Sequence, residues 1–427
     1  MARDLDLIVF GATGVTGRNV AAYLASRAAD GSLRWAAAGR DPQKVGRVLE
    51  QLGVSAPEVL AADVSDPDSL AVMVSRTRVV LNLVGPYTRY GRPVIDACVS
   101  GGAHYADLTG ELPFVRKMID THHDGAAQAG VKLVQVSGFE ALPADLLVAS
   151  LAELAAGQPG DGLRSVDVEV EMTPPPGRPH ATDMVSGGTF QSIAILTGEE
   201  NAALALDPAV LIPDQAAAAS VRARSPIGLA PRRGKDGSVV AVMAPAPFIN
   251  PGVIHRSALL RAEARAETFD PFRYREGIAI GGRPVTLPAR WLAGAAMGAT
   301  MAGMRILARS GPSVRRPIAG AMAKLGPGSG FGPTGARLER WHWRMTATAL
   351  TRSGRELHAT LDADGHPGYL ATARLLGEAG ILLGEDGATP AVGGCLTPAA
   401  ALGTRCLERF ARAGLRFSSG LGAPASA

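Results

Sequence analysis

The stretch Leu7-Ile8-Val9-Phe10-Gly11-Ala12-Thr13-Gly14-Val15-Thr16-Gly17 decides how this chain is read. An apolar run enters a Gly-x-x-Gly-x-x-Gly turn, and a helix-compatible segment, Arg18 to Arg27, follows at once. Strand, tight turn and helix start are the parts on which a dinucleotide pyrophosphate rests. The glycines serve a sharp turn, a close backbone approach to phosphate, and close packing of helix on strand. The first helical N–H groups and the helix dipole then favour an anion. Gly14 and Gly17 keep the last interval of the strict Gly-x-Gly-x-x-Gly pattern, but Thr13 stands between Gly11 and Gly14. That variant fits NADP-binding reductases with an extended first turn.

About twenty residues past such a turn, an acidic residue reads the ribose hydroxyl of NAD, or an arginine reads the 2′-phosphate of NADP. Here the second strand ends Ala38-Gly39-Arg40-Asp41. Arg40 comes first, and a guanidinium fork suits a phosphate, which favours NADP. Asp41 leaves two readings open, NAD recognition or a cap for a helix whose first turn holds Pro42. Asp63, after the third strand, is placed to meet adenine. Asn82, Gly85 and Pro86 close the fourth strand where the nicotinamide is expected.

Around this centre, residues 1–150 alternate strands and helices, the pattern of a doubly wound α/β parallel sheet of Rossmann type. The expected strands are 5–10, 33–38, 58–62, 79–84, 104–108 and 131–136, with helices at 93–99 and 113–129, and another that runs to about Ala156 after Pro143-Ala-Asp-Leu146. Beyond them Val166-Asp-Val-Glu-Val-Glu-Met alternates at period two, as a half-exposed strand does. Trp341, Trp343, Met345 and Ala347 likewise share one face of a strand, and Arg352-Ser-Gly-Arg355 turns the chain into another, 356–361. These features predict a second α+β domain, 151–390, with a mostly antiparallel sheet used for substrate binding or oligomerisation. Segments 174–179, 225–237 and 326–335 read as loops. Residues 391–427 read as a C-terminal helical segment, Pro398 to Ala413, returning to the first domain.

Composition narrows the class. With 427 residues, 47% hydrophobic and 19% charged, the chain is a globular protein long enough for two cores. A formal charge of +4 does not point to nucleic acid. Cys98, Cys395 and Cys406 match no metal-ligand spacing and no disulfide framework, which fits a reducing, cytoplasmic setting. A charged start followed directly by a strand predicts no signal peptide. No apolar run reaches the ~18 residues of a spanning helix.

Proton donors near the expected nicotinamide are Tyr87, Tyr90, His104, Tyr105, Asp107 and Glu111. Tyr87 leads because it directly follows the strand-ending Gly85-Pro86, with Tyr105 and Asp107 beside it. Tyr90 is followed four residues on by Val94 rather than Lys, which argues against the common short-chain dehydrogenase arrangement.

In these landmarks the chain resembles the saccharopine-dehydrogenase-like oxidoreductases, and within them the actinobacterial trans-acting enoyl reductases. The resemblance runs from Gly11–Gly17 and Arg40 through Leu83-Val-Gly-Pro-Tyr87 and Tyr105-Ala-Asp-Leu-Thr-Gly-Glu111. It continues in Ser137-Gly-Phe-Glu-Ala-Leu-Pro-Ala-Asp145, Ser186-Gly-Gly-Thr189 and Gly394-Cys-Leu-Thr-Pro-Ala399. Glu140 stands where the family pattern has Asp. The resemblance implies NADPH-dependent reduction of an enoyl bond on a long-chain polyketide or lipid acyl intermediate, carried by a separate synthase. The rival expectations are a saccharopine-type amino-acid dehydrogenase and a non-enzymatic NADP-binding protein at a lipid surface.

One region stands apart. No Asp or Glu lies between Glu276 and Glu339, whereas Arg283, Arg290, Arg305, Arg309, Arg315, Arg316, Lys324 and Arg337 all do. Within it Gly294 and Gly298 have small-x-x-x-small spacing. Residues 277–338 are therefore read as a core or homodimer helix, as a peripheral membrane contact, or as a dock for an acidic carrier domain.

Overall fold

A computed structural model describes residues 3–54, 58–177, 187–235, 237–242, 245–281, 285–326 and 337–421. Its strands, in chain order, are β1 (Leu5–Phe10), β2 (Trp35–Gly39), β3 (Val59–Ala61), β4 (Thr77–Asn82), β5 (His104–Asp107) and β6 (Lys132–Val134). There follow β7 (Leu163–Thr173), β8 (Arg232–Arg233), β9 (Val239–Ala241), β10 (Arg273–Ile280), β11 (His342–Thr351), β12 (Glu356–Asp364), β13 (Gly394–Leu396) and β14 (Arg416–Leu421).

The first sheet has the order β13-β6-β5-β4-β1-β2-β3, with parallel pairing throughout. Strands covered by helices on both faces are apolar along their length, and in β2 every residue is buried. Phe10 pairs with Ala38 on one side and Asn82 on the other. The strand order reverses at β1, so the crevice for a ligand opens above its carboxyl end, beside the glycine turn.

The second sheet runs β14-β12-β11-β7-β10-β9-β8. Its pairs are antiparallel except β10 on β7. The alternation read around Trp343 is realised: Trp343, Met345, Ala347 and Ala349 are buried, with their neighbours on the half-exposed face. The helix Leu142–Ala156 is apolar nearly all round and lies inside a core cluster that contains residues of both sheets. At its entry the Phe139 ring meets Trp343 edge-on, centroids 4.8 Å apart.

Several expected bounds shift, each for a local reason. The strand expected to reach Val84 ends at Asn82, whose Oδ1 accepts the Val84 N–H at 3.0 Å and turns the chain. The strand expected to reach Val136 ends at Val134, because Val136 takes φ of +61°, which a strand excludes. The helix expected from Pro93 begins at Tyr87 and carries Pro93 inside it. The C-terminal helix is broken at Gly403 (φ +69°) into Pro398–Leu402 and Cys406–Phe410. Before it β13 extends the first sheet, and after it β14 extends the second. The loop expected at 225–237 holds β8. Most of the loop expected at 326–335, and Ser186, lie outside the described residues.

The acid-free region forms two helices, Leu287–Arg309 and Pro312–Leu325. The small-residue face of the first packs on this same chain: a Cβ at Gly294 would sit 3.0 Å from Pro231 Cβ, and one at Gly298 2.5 Å from Leu229 O. Arg315, read from sequence as surface charge, is buried and donates to the carbonyls of Ser310, Thr197 and Glu199, which end neighbouring helices. Among the described residues no helix is long and apolar enough to cross a membrane.

Gly298→Val should therefore lower stability by about 1–3 kcal/mol, the usual cost of overpacking. Gly303→Ala on the same helix, with nothing within 4 Å of the new methyl, should leave the melting temperature unchanged or raise it. Equal losses for the two variants would show that the packed glycine face is wrong.

Candidate active site

The glycine turn divides its work as a phosphate cradle requires. Gly11 has φ of +97°, and a Cβ there would lie 3.0 Å from Leu83 C and Val84 Cγ2. At Gly17 a Cβ would be 2.3 Å from Gly11 O, so the helix Val15–Arg27 can seat on the strand end only without a side chain. Gly14 differs: its nearest atom would be Gly11 O at 3.7 Å, which leaves the approach from outside open. Gly14 is also the N-cap, with no side-chain cap and no acid in the first turn. The opening N–H groups of a thirteen-residue helix thus face the crevice, with Thr13, Val15 and Thr16 half-buried on the rim. These residues fit a pyrophosphate.

At the end of β2 the structure separates Arg40 from Asp41. Asp41 accepts the Lys44 N–H at 2.9 Å and caps the helix Pro42–Gln51. Arg40 is exposed beyond Gly39, whose own Cβ position is closed by Val45 Cγ2 at 2.9 Å. Asp63 uses Oδ1 to accept from Ser65 N (2.9 Å) and Ser65 Oγ (2.7 Å), bonds that hold its carboxyl below the usual range. Arg40 acts on that carboxyl through space, so the two lie on one side of the crevice.

On the other side a buried polar network joins the ends of three strands. Asn82 Nδ2 donates to the Tyr105 hydroxyl (3.1 Å), which donates to Asp107 Oδ2 (2.7 Å). Asp107 Oδ1 accepts from Thr109 N (3.0 Å) and Val136 N (3.1 Å). The Tyr87 hydroxyl donates to Asn82 O (3.1 Å) and accepts from Leu108 N (3.3 Å). Tyr87 follows the cis Gly85–Pro86 bond. Burial raises both phenols well above their ordinary pKa and pushes Asp107 up to about 7. The three side chains expected to handle protons are thus brought together, but their polar atoms bond inward.

Other expectations separate from the site. His104 opens β5, at the amino end of the strand and so away from the turn; it accepts the Lys132 N–H, and burial lowers its pKa to about 4. Tyr90 is exposed on its helix. Glu111 is wholly buried and accepts from the N–H groups of Tyr87 (3.0 Å) and Thr88 (2.7 Å), capping a helix that starts 24 residues earlier. Ser192 reaches the same carboxylate at 3.0 Å from the helix Gly187–Gly198. Sequence reading passed over Gln135 and Arg256, buried beyond the end of β6. No local pattern marks either one. Among the described residues no cluster of His, Cys, Asp or Glu could hold a metal.

A glycine cradle at the reversal of a parallel sheet, with an arginine free at the end of β2, defines an NAD(P)H-dependent oxidoreductase. Residues 7–134 match the family model of the saccharopine dehydrogenase NADP-binding domain, which makes the cofactor NADP(H). A Mycobacterium tuberculosis (H37Rv) protein, provisionally named a trans-acting enoyl reductase, is 36% identical over 431 residues, covering 98% of each chain. The trans-acting enoyl reductase of Mycobacterium ulcerans (Agy99) is 34% identical with the same coverage. The chain belongs to this trans-acting enoyl reductase family. Among solved structures, apo saccharopine dehydrogenase (L-Glu forming) from Saccharomyces cerevisiae shares the fold, with a TM-score of 0.52, 12% identity, and 98% and 99% of the two chains covered.

Two outcomes test the site. Arg40→Ala should weaken NADPH binding about 10–100-fold, the worth of a charge-assisted contact, with little change for NADH; equal losses for both would remove Arg40 from the phosphate. Asp107, with a folded pKa near 7 and an unfolded one near 4, lends stability that is complete below about pH 4 and lost as pH rises through 7. Relative to Asp107→Asn, the native chain should lose stability between pH 5 and pH 8, by roughly 1 kcal/mol per pH unit at most. A gap that does not change with pH in thermal unfolding would show the carboxyl unshifted.

Proposed function

We propose that this chain uses NADPH to reduce the carbon–carbon double bond of an α,β-unsaturated acyl group on a long-chain polyketide or lipid intermediate held by a separate synthase. The observation that carries the reading is full-length similarity to trans-acting enoyl reductases together with a cradle and Arg40 suited to NADP. Bound NADPH supplies the hydride. The chain's own residues do the rest. Gly11, Thr13, Gly14, Val15, Thr16 and Gly17 hold the pyrophosphate, Gly39 and Arg40 the 2′-phosphate, and Asp63 borders the adenine. Asn82, Gly85 and Pro86 border the nicotinamide at the end of β4.

Tyr87, Tyr105 and Asp107 form the proton-handling and positioning set. Asn82 fixes the Tyr105 hydroxyl, and Asp107, pushed to about 7, keeps a proton in the working range of pH.

The partner is a carrier domain of acidic surface. The two helices of the acid-free region expose Leu292, Ile306 and Leu325 (73, 71 and 88%), interspersed with exposed Arg309 and Lys324. Charge complementarity steers such an encounter, and the apolar side chains supply its contact.

The test is NADPH oxidation with trans-2-enoyl thioesters, on a carrier protein and on N-acetylcysteamine. The product should gain two hydrogens by mass spectrometry. Arg309→Glu with Lys324→Glu should raise KM for the carrier-held substrate about tenfold and leave the N-acetylcysteamine substrate unchanged. Turnover of an amine with a keto acid, and none of the enoyl thioester, would favour the amino-acid dehydrogenase. An unchanged KM with binding to anionic vesicles would replace the carrier dock with a lipid surface.

A further inference from the structure

A narrow cleft with about 10 Å³ of free space opens where β6 and β13 end. Gln135 and Val136 follow β6, Leu396 and Thr397 close β13, and Val253 and Arg256 enter from the helix Ala246–Ala264. Such a space admits one small polar group and not a whole ligand.

Two donors on its wall are unused. Arg256 is 3% exposed, and its Nε has no hydrogen-bond partner; Gln135 is 2% exposed, and its Nε2 has none. Glu263 and Asp120 act on Arg256 only through space. Burying a guanidinium without a paired oxygen costs several kcal/mol, and neither β6 nor β13 needs that charge to pair. Such donors are built for an oxygen that arrives from outside. The walls beside them, Val115, Val253 and Leu396, are apolar and strengthen a charge interaction.

The cleft is tied to the nucleotide crevice. Val136, strained at φ of +61°, is held by Asp107, and Asp107 is bonded through Tyr105 to Asn82, whose strand partner Phe10 leads into the glycine turn. From β1 to β6 is three strand spacings, about 14 Å, on the β4–β6 side of the sheet. In a doubly wound sheet that side takes the second mononucleotide half.

We propose that Gln135 and Arg256 form an oxyanion subsite that receives the carbonyl oxygen of the acyl acceptor. This rests on the reductase reading. Adding hydride to the β-carbon forms a C–H bond, and the double-bond pair moves toward the carbonyl, leaving negative charge on its oxygen. A proton bonded to the α-carbon then restores the carbonyl, and the electron pair comes from the reduced dinucleotide. Donors already aimed and desolvated stabilise that charge without reorganisation.

The experiment compares Arg256→Met and Gln135→Leu with the native chain in three measurements. On trans-2-enoyl N-acetylcysteamine thioester, Arg256→Met should lower kcat by about 100-fold or more, the worth of an oxyanion donor. Its melting temperature should hold or rise, because a buried unpaired charge has been removed. Acetate, a carboxylate probe tested against chloride at constant ionic strength, should stabilise the native chain saturably, Gln135→Leu less, and Arg256→Met not at all. A fall in melting temperature with unaltered acetate response would make Arg256 a structural residue and overturn the subsite. If the native chain reduces no enoyl thioester yet keeps the Arg256-dependent acetate response, the reductase reading fails and the anion subsite stands.

Discussion

Asp107 holds the working edge of the first sheet together. Its carboxyl accepts from Tyr105 on its own strand, from Thr109 in the loop beyond, and from Val136 past the end of β6. The residue that donates to it, Val136, is also the one that turns left-handed and ends the line of β6. The ends of β4, β5 and β6 are thereby fixed at one level. The loops they carry, at Gly85–Tyr87, Leu108–Glu111 and Gln135–Glu140, form the wall facing the cradle. Glu111 adds a second clamp by capping the helix that follows Pro86.

This edge is rich in buried polar groups, which cost stability unless satisfied. Asp107 and Glu111 accept enough bonds to meet the cost, and Asp145 is tied at 2.8 Å to the Ala399 N–H, binding the central helix to the tail. Burial still pushes Asp145, like Asp107, up to about 7. On the wall of the cleft, Gln135 Nε2 and Arg256 Nε keep no partner. The contrast within one wall is what distinguishes scaffold from binding surface.

How far the sequence could be read depended on whether a feature was local. The β1 strand and its glycines were legible because period, turn and helix start are contiguous. The face shared by Trp343, Met345 and Ala347 was legible because alternation is a property of neighbours. Asp41 stayed ambiguous until its bond to Lys44 showed it as a cap. The helix start at Tyr87 was hidden because its capping carboxylate, Glu111, comes from another element. Arg315 looked like surface charge because nothing nearby reveals carbonyls of another helix converging on it. Gln135 and Arg256 meet only when residues more than a hundred positions apart are packed together.

The pairing of β13 with β6 has a consequence for how the molecule is made. Gly394 to Leu396 align with Lys132 to Val134, so the edge of the nucleotide sheet is completed by residues far along the sequence from β6. The glycine turn is synthesised long before β13, so one wall of its sheet, and the cleft at the end of β6, wait for residues 394–396. A contact of that sequence separation closes a long loop and is slow to form. A chain not yet extended to β13 therefore presents an open strand edge at β6, and β13 serves as the latch that withdraws it from unwanted pairing.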